Sequence, residues 1–121
     1  MNKKINILDC TLRDGGYYNN WKFEKLTISN YLQSMSKAKI DIVEIGFRFL
    51  KNSSALGKLA NTREEFLDKL IIPKNIKLAI MINGEEFCKN LKKIDDIFIQ
   101  KNFSKIDLIR IAININHFKK I

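Results

Sequence analysis

The sequence predicts an α/β fold built from parallel βα units, and three observations carry that assignment. Four short apolar runs, near residues 5–10, 41–47, 76–82 and 107–113, have the β-branched composition of strands buried on both faces. The stretches between them carry helical periodicity. The strand starts recur at roughly the length of one βα unit, and right-handed crossovers then make all four strands parallel.

The first run, Ile5 to Cys10, reads I-N-I-L-D-C, and Thr11 to Trp21 follows as T-L-R-D-G-G-Y-Y-N-N-W. Arg13 and Asp14 before two glycines read as a turn at a strand end, a motif that by itself fits an exposed ion pair as well as a site. From Phe23 to Ala38, Ile28, Tyr31, Leu32 and Met35 fall at i, i+3, i+4 and i+7 and predict a helix. The second strand, Asp41 to Phe47, is followed by a polar stretch, Asn52 to Leu59, that reads as a rim loop. Thr62-Arg63-Glu64-Glu65 has the spacing of a capping box and predicts a second helix ending before Pro73. After the third strand, Ile76 to Ile82, a third helix is expected from about Gly84 to Lys101. Phe87, Leu91, Ile94 and Phe98 would form its apolar stripe, and Glu85 and Glu86 would complement its dipole. Asp107 to Ile113 is the fourth strand.

In parallel α/β sheets, ligand chemistry belongs at the carboxyl ends of the strands. Polar residues gather there: Arg13 and Asp14, then Glu44 and Arg48, then Asn83, then Asn114 and Asn116. Polar strand-end loops are general in such folds, so Glu44 is the sharper signal. It lies among Ile42, Val43 and Ile45 in a strand expected to be buried, where an unpaired carboxylate is costly. Arg13 is the natural partner.

Composition bounds the function classes. The 121 residues are 45% hydrophobic, enough for one cored domain, 1–121. The net charge of +9 is mostly lysine spread over the outer helix faces, without a basic-aromatic platform, so nucleic acid is not an expected partner. No run approaches membrane-spanning length, and the apolar residues near the start are too few for a secretory leader. Cys10 and Cys88 lack metal-ligand spacing and are expected to be reduced, in a cytoplasmic protein.

The string L-D-C-T-L-R-D-G-G-Y-Y-N-N-W-K-F, with V-E-I-G-F-R-F, I-K-L-A-I-M-I-N-G and L-I-R-I-A-I after it, resembles the DRE-TIM metallolyase superfamily. That superfamily holds hydroxymethylglutaryl-CoA lyases and pyruvate carboxyltransferase domains, and the resemblance is greatest to the 4-hydroxy-2-oxovalerate aldolase branch. It implies a TIM (β/α)8 barrel and a carbon–carbon lyase that cleaves a 4-hydroxy-2-oxo acid through an enolate. Asp14 matches the ligand of a divalent metal, manganese or magnesium. Arg13 matches the residue that stabilises the enolate with the metal, and Glu44 the strand-two glutamate that orients it. Arg48 and Asn83 are expected at the substrate, Arg48 by a bidentate carboxylate contact.

Two departures qualify the resemblance. Where those aldolases carry a histidine proposed as the catalytic base, this chain has Tyr17, which relays a proton only with a lowered pKa or a partner. The H-x-H metal pair of a late strand has no counterpart, since the one histidine, His117, reads as a polar residue in the loop or helix after the fourth strand. A complete barrel takes about 250 residues, so four strands and three helices correspond to its N-terminal half. Such a half is expected to bind metal weakly and to be inactive alone. The alternative is a non-catalytic half barrel that associates with itself or a second chain, since it leaves apolar strand edges open.

Overall fold

The computed structural model describes residues 4–120, with side chains through Phe118. Four parallel strands form one sheet in the order β1-β2-β3-β4: Leu8–Asp9, Ile42–Phe47, Lys77–Asn83 and Ile106–Ala112. The consecutive order of parallel strands is what successive βα units produce. Three α-helices are present among the described residues: α1 (Thr11–Asn19), α2 (Lys25–Lys37) and α3 (Glu64–Leu67).

The strand assignments hold in position and differ in extent. β1 is two residues long, because only Leu8 and Asp9 pair with β2, at Ile42 and Val43. Ile5 and Ile7 are exposed, so the expected fully buried first strand is confined to its carboxyl end. β2 and β3 form the centre. Val43, Ile45, Leu78 and Ile80 pack with Ile28 and Leu32 of α2 in the main core, and Ile82 with Phe87 and Ile97 forms a smaller one. β4 was expected to be buried. Apart from Ile106 it is exposed, with Leu108, Ile109 and Ile111 between 37% and 48% accessible.

The largest differences lie in the connections. The R-D-G-G segment is not a turn but helix α1, entered directly from β1. Asp9 makes that entry: its carboxylate accepts from the Thr11 N–H and hydroxyl, both at 3.0 Å. The two glycines sit inside the helix, where Gly16 is required because the Trp21 indole lies where a Cβ would stand. Thr62 does not cap the second helix. It is buried, with its hydroxyl donating to the Leu59 carbonyl, and α3 starts after Arg63 and lasts four residues.

The third helix is replaced by 3-10 turns at Gly84–Glu86, Leu91–Ile94 and Lys101–Phe103. Asn90 interrupts it, extended at φ −157° and accepting the Lys92 N–H on its side chain, a local bond that competes with helix. The Asp95, Asp96, Ile97 and Ile99 that follow are weak helix formers. Of the expected stripe, Phe87 is buried, Ile94 and Phe98 pack half-buried against it, and Leu91 is exposed; Ile97, outside the stripe, completes the small core.

No helix among the described residues is long and apolar enough to cross a membrane. Both cysteines are free and half-buried.

A register shift interrupts the β2–β3 ladder between Glu44 and Gly46, a bulge that re-aims neighbouring side chains. At the same place the loop after β2 folds back, so that a Cβ on Gly46 would meet the Leu59 carbonyl oxygen and the Thr62 hydroxyl. Backbone cannot yield as a side-chain tip can. Gly46→Ala is expected to lower unfolding stability by about 1–3 kcal/mol, read as a lower urea midpoint. An unchanged midpoint would show that this loop packs less closely on β2.

Candidate active site at the carboxyl end of the sheet

Glu44 is fully buried on β2 and holds two arginines. Arg13 Nε donates to its Oε1 at 2.7 Å, the pairing expected from its burial, and Arg110 Nη1 on β4 donates to Oε2 at 2.9 Å. One carboxylate thereby ties α1, β2 and β4 together. Each oxygen has a charge-assisted partner, which is the condition for burying such a group.

Arg13 is fixed on three further sides. Its carbonyl accepts the Trp21 indole N–H at 2.8 Å, its guanidinium lies 5.8 Å from the Phe47 ring centroid, and its Nη1 donates to Asp14 Oδ1 at 3.1 Å. Trp21 reaches this position through two successive left-handed residues, Asn20 at φ 56° and Trp21 itself at φ 55°. For a bulky residue that backbone is strained, and the surrounding packing must enforce it. The packing is aromatic: Trp21 meets Tyr17, Phe47 and Phe49 edge-on at 4.9, 5.6 and 5.6 Å, and Phe47 stacks on Phe49 at 4.6 Å. Burial works against the charge of Arg13, but the hydrogen bond and charge of Glu44 outweigh it and raise the guanidinium above its ordinary pKa.

Successive helical residues point about 100° apart, so Arg13 turns inward while Asp14 faces solvent with its side chain 67% exposed. Tyr17, one turn further along α1, is 61% exposed, and no hydrogen bond joins its hydroxyl to another described group.

Both residues expected at the substrate are otherwise engaged. Arg48 is completely buried, donating to the Thr62 carbonyl at 2.6 Å, the Ile97 carbonyl at 3.0 Å and Glu64 Oε1 at 3.3 Å, with its guanidinium 4.9 Å from the Phe98 centroid. It is a core brace, not a group presented to substrate, because all its faces are covered by the segments that the sequence left as loop and helix. Burial pulls its pKa down, against the opposing charge of Glu64. Asn83 caps the 3-10 turn that follows β3 by accepting the Glu85 N–H at 3.1 Å. His117 lies in the 3-10 turn after β4 and contacts Glu85 at 3.2 Å.

The described residues do not fit a metal centre. No three histidine, cysteine, aspartate or glutamate side chains converge among them, and Asp14 alone offers one exposed carboxylate, itself shared with Arg13.

Arg110 was not singled out from the sequence. Its signal was the same as that of Glu44, a charge inside an apolar strand, and the two signals answer each other. Trp21 and Phe47 carried no comparable mark.

Comparison with solved structures finds the N-terminal domain of a protein from Bacteroides vulgatus provisionally described as an aldolase, at 33% sequence identity and a TM-score of 0.72. The match covers 96% of this chain and 38% of that one, so the chain spans well under half the length of its structural neighbour. No family model matches the sequence. No curated protein matches it either. The likeness supports an aldolase-type α/β fold.

The half-buried carboxylate of Glu64 has a measurable signature. Burial opposes ionisation of Glu64, but the Ser104 hydroxyl at 2.7 Å, the Lys105 N–H at 2.9 Å and Arg48 together hold its pKa below the ordinary glutamate value. A depressed folded pKa means that the stabilisation is complete above the unfolded value and is lost as pH falls through the folded one. Glu64→Gln, which leaves Arg48 without its counter-charge, should cost about 3 kcal/mol at neutral pH. It should also flatten the acid limb of the stability–pH curve, measured by urea unfolding between about pH 2 and 7. An unaltered acid limb would remove Glu64 from the account.

Proposed function

We propose that this chain forms the N-terminal half of a (β/α)8 barrel of the DRE-TIM metallolyase type, and supplies the arginine part of a site that cleaves a 4-hydroxy-2-oxo acid. The observation that supports this most is Arg13 seated on a buried glutamate at the carboxyl end of a parallel sheet. The aldolase description of the structural neighbour agrees with it. The exposed apolar side chains of β4 fit a strand whose sheet continues past it.

In this reading the bond between C3 and C4 of the substrate breaks as the 4-hydroxyl loses its proton, and the electron pair moves onto the 2-oxo group as an enolate. Arg13 provides the stabilising charge there. Its Nε and Nη1 are held by Glu44 and Asp14, which leaves Nη2 as the donor for the oxo oxygen. Because Glu44 and Phe47 fix the guanidinium before substrate arrives, little reorganisation is needed as charge develops.

Asp14 is the residue assigned to the divalent ion, manganese or magnesium, which when bound would act as a Lewis acid on the same oxygen. A lone carboxylate does not hold such an ion, so the remaining ligands belong to a completing half or partner and the described residues alone define no metal-dependent step. Tyr17 occupies the position that the resemblance gives to the base, but without a partner for its hydroxyl it is not assigned the proton transfer.

The direct experiment is a chimera in which this chain replaces the matching first part of the Bacteroides vulgatus protein. The folded chimera should cleave a 4-hydroxy-2-oxo acid in the presence of Mn²⁺, and Arg13→Gln or Asp14→Asn should each lower kcat by about 100-fold or more, near 2.7 kcal/mol of transition-state stabilisation. The unfused chain should show no turnover. A folded, inactive chimera, or full activity of the Arg13 variant, would contradict the proposal.

A further inference from the structure

A second feature at the carboxyl end of the sheet is independent of the aldolase reading. The loop after β2 and helix α3 enclose an open cavity of about 540 Å³, within the range of small-molecule sites. Lys51, Lys58, Arg63 and Lys69 line it with a single carboxylate, Glu65, and Phe66 forms part of its wall.

A lysine-rich chain places lysines in many clefts, so the arginine is the informative residue. There are four arginines among 22 basic residues. Arg13 and Arg110 share Glu44, and Arg48 holds Glu64. Arginine is thus used here where its planar fork meets carboxylate oxygens, while surface charge is left to lysine. Arg63 breaks the pattern: it is half-buried, and no carboxylate lies within ion-pair distance of it among the described residues. Burial lowers its pKa, with only the nearby charge of Glu65 opposing. A half-buried fork in a cavity with three further cations lacks its anion.

We propose that this cavity binds the phosphate-bearing end of a small molecule, with the Arg63 guanidinium as the donor fork and Lys51, Lys58 and Lys69 as surrounding charge. The excess of positive charge exceeds what one carboxylate would neutralise and suits a group with several anionic oxygens. Phe66 offers an apolar surface for the organic part of the ligand. Confinement of these charges to one cavity distinguishes the site from a stripe that would track a polynucleotide.

Calorimetric titration of the chain with inorganic pyrophosphate, and in parallel with citrate, tests this at about 0.1 M salt, where exposed charges are screened. Pyrophosphate should bind one to one. Arg63→Gln should weaken it about tenfold and Lys58→Gln, at an exposed position, about threefold, while Lys92→Gln outside the cavity leaves it unchanged. Thermal midpoints of the variants establish that they are folded, and the Lys58 variant carries the test should the Arg63 variant not fold. Absence of binding at millimolar pyrophosphate, equal weakening by the Lys92 and Lys58 substitutions, or citrate binding as tightly as pyrophosphate would overturn the proposal.

Discussion

A carboxylate buried without accessible surface in the central strand is the constraint on which the rest of the site depends. Glu44 cannot remain there ionised unless both oxygens are met by cations, and the two that meet it come from opposite sides of β2. Arg13 ties α1 to the sheet, and Arg110 reaches across β3 to tie β4 to the same carboxylate. The order of the strands and the seat of the candidate reactive arginine are therefore linked through one side chain. The bulge beside Glu44 and the strained Trp21 backbone belong to the same arrangement, since both act on the geometry around Arg13.

Strand positions were legible in the sequence because apolar β-branched runs encode burial directly, and Ile42 to Phe47 and Lys77 to Asn83 lie where they were expected. The Glu44–Arg13 pair was legible for the same reason, as a charge that burial makes intolerable alone. Helix α2 followed from its periodicity. The connections were less readable, because short polar side chains decide them locally: Asp9 turns a supposed loop into α1, Asn90 breaks an amphipathic stripe, and Thr62 bonds backwards to Leu59 instead of capping forwards. Arg48 misled because its position after a strand end resembles a rim residue, whereas the returning chain covers it completely. The exposure of β4 depends on what lies beside it, which periodicity within one segment does not encode.

The arginines together divide the carboxyl end of the molecule by function. Two are locked on Glu44, where the proposed chemistry needs a fixed positive charge, and one braces the core through Glu64. Arg63, in its cavity, is left to an external anion. Lysine supplies most of the positive charge behind the net +9 and lies mostly at the surface. The chemistry proposed for the site and the ligand proposed for the cavity thus rest on one distinction, between arginines whose partner is internal and one whose partner is not.

The central claim, that Glu44 and Arg13 form a coupled unit holding the site together, is tested most directly by a double-mutant cycle. Urea unfolding of Arg13→Met, Glu44→Gln and the double variant should give a coupling energy of about 1–3 kcal/mol, with the double variant less destabilised than the sum of the two single ones. Additivity within about 0.5 kcal/mol would contradict the account.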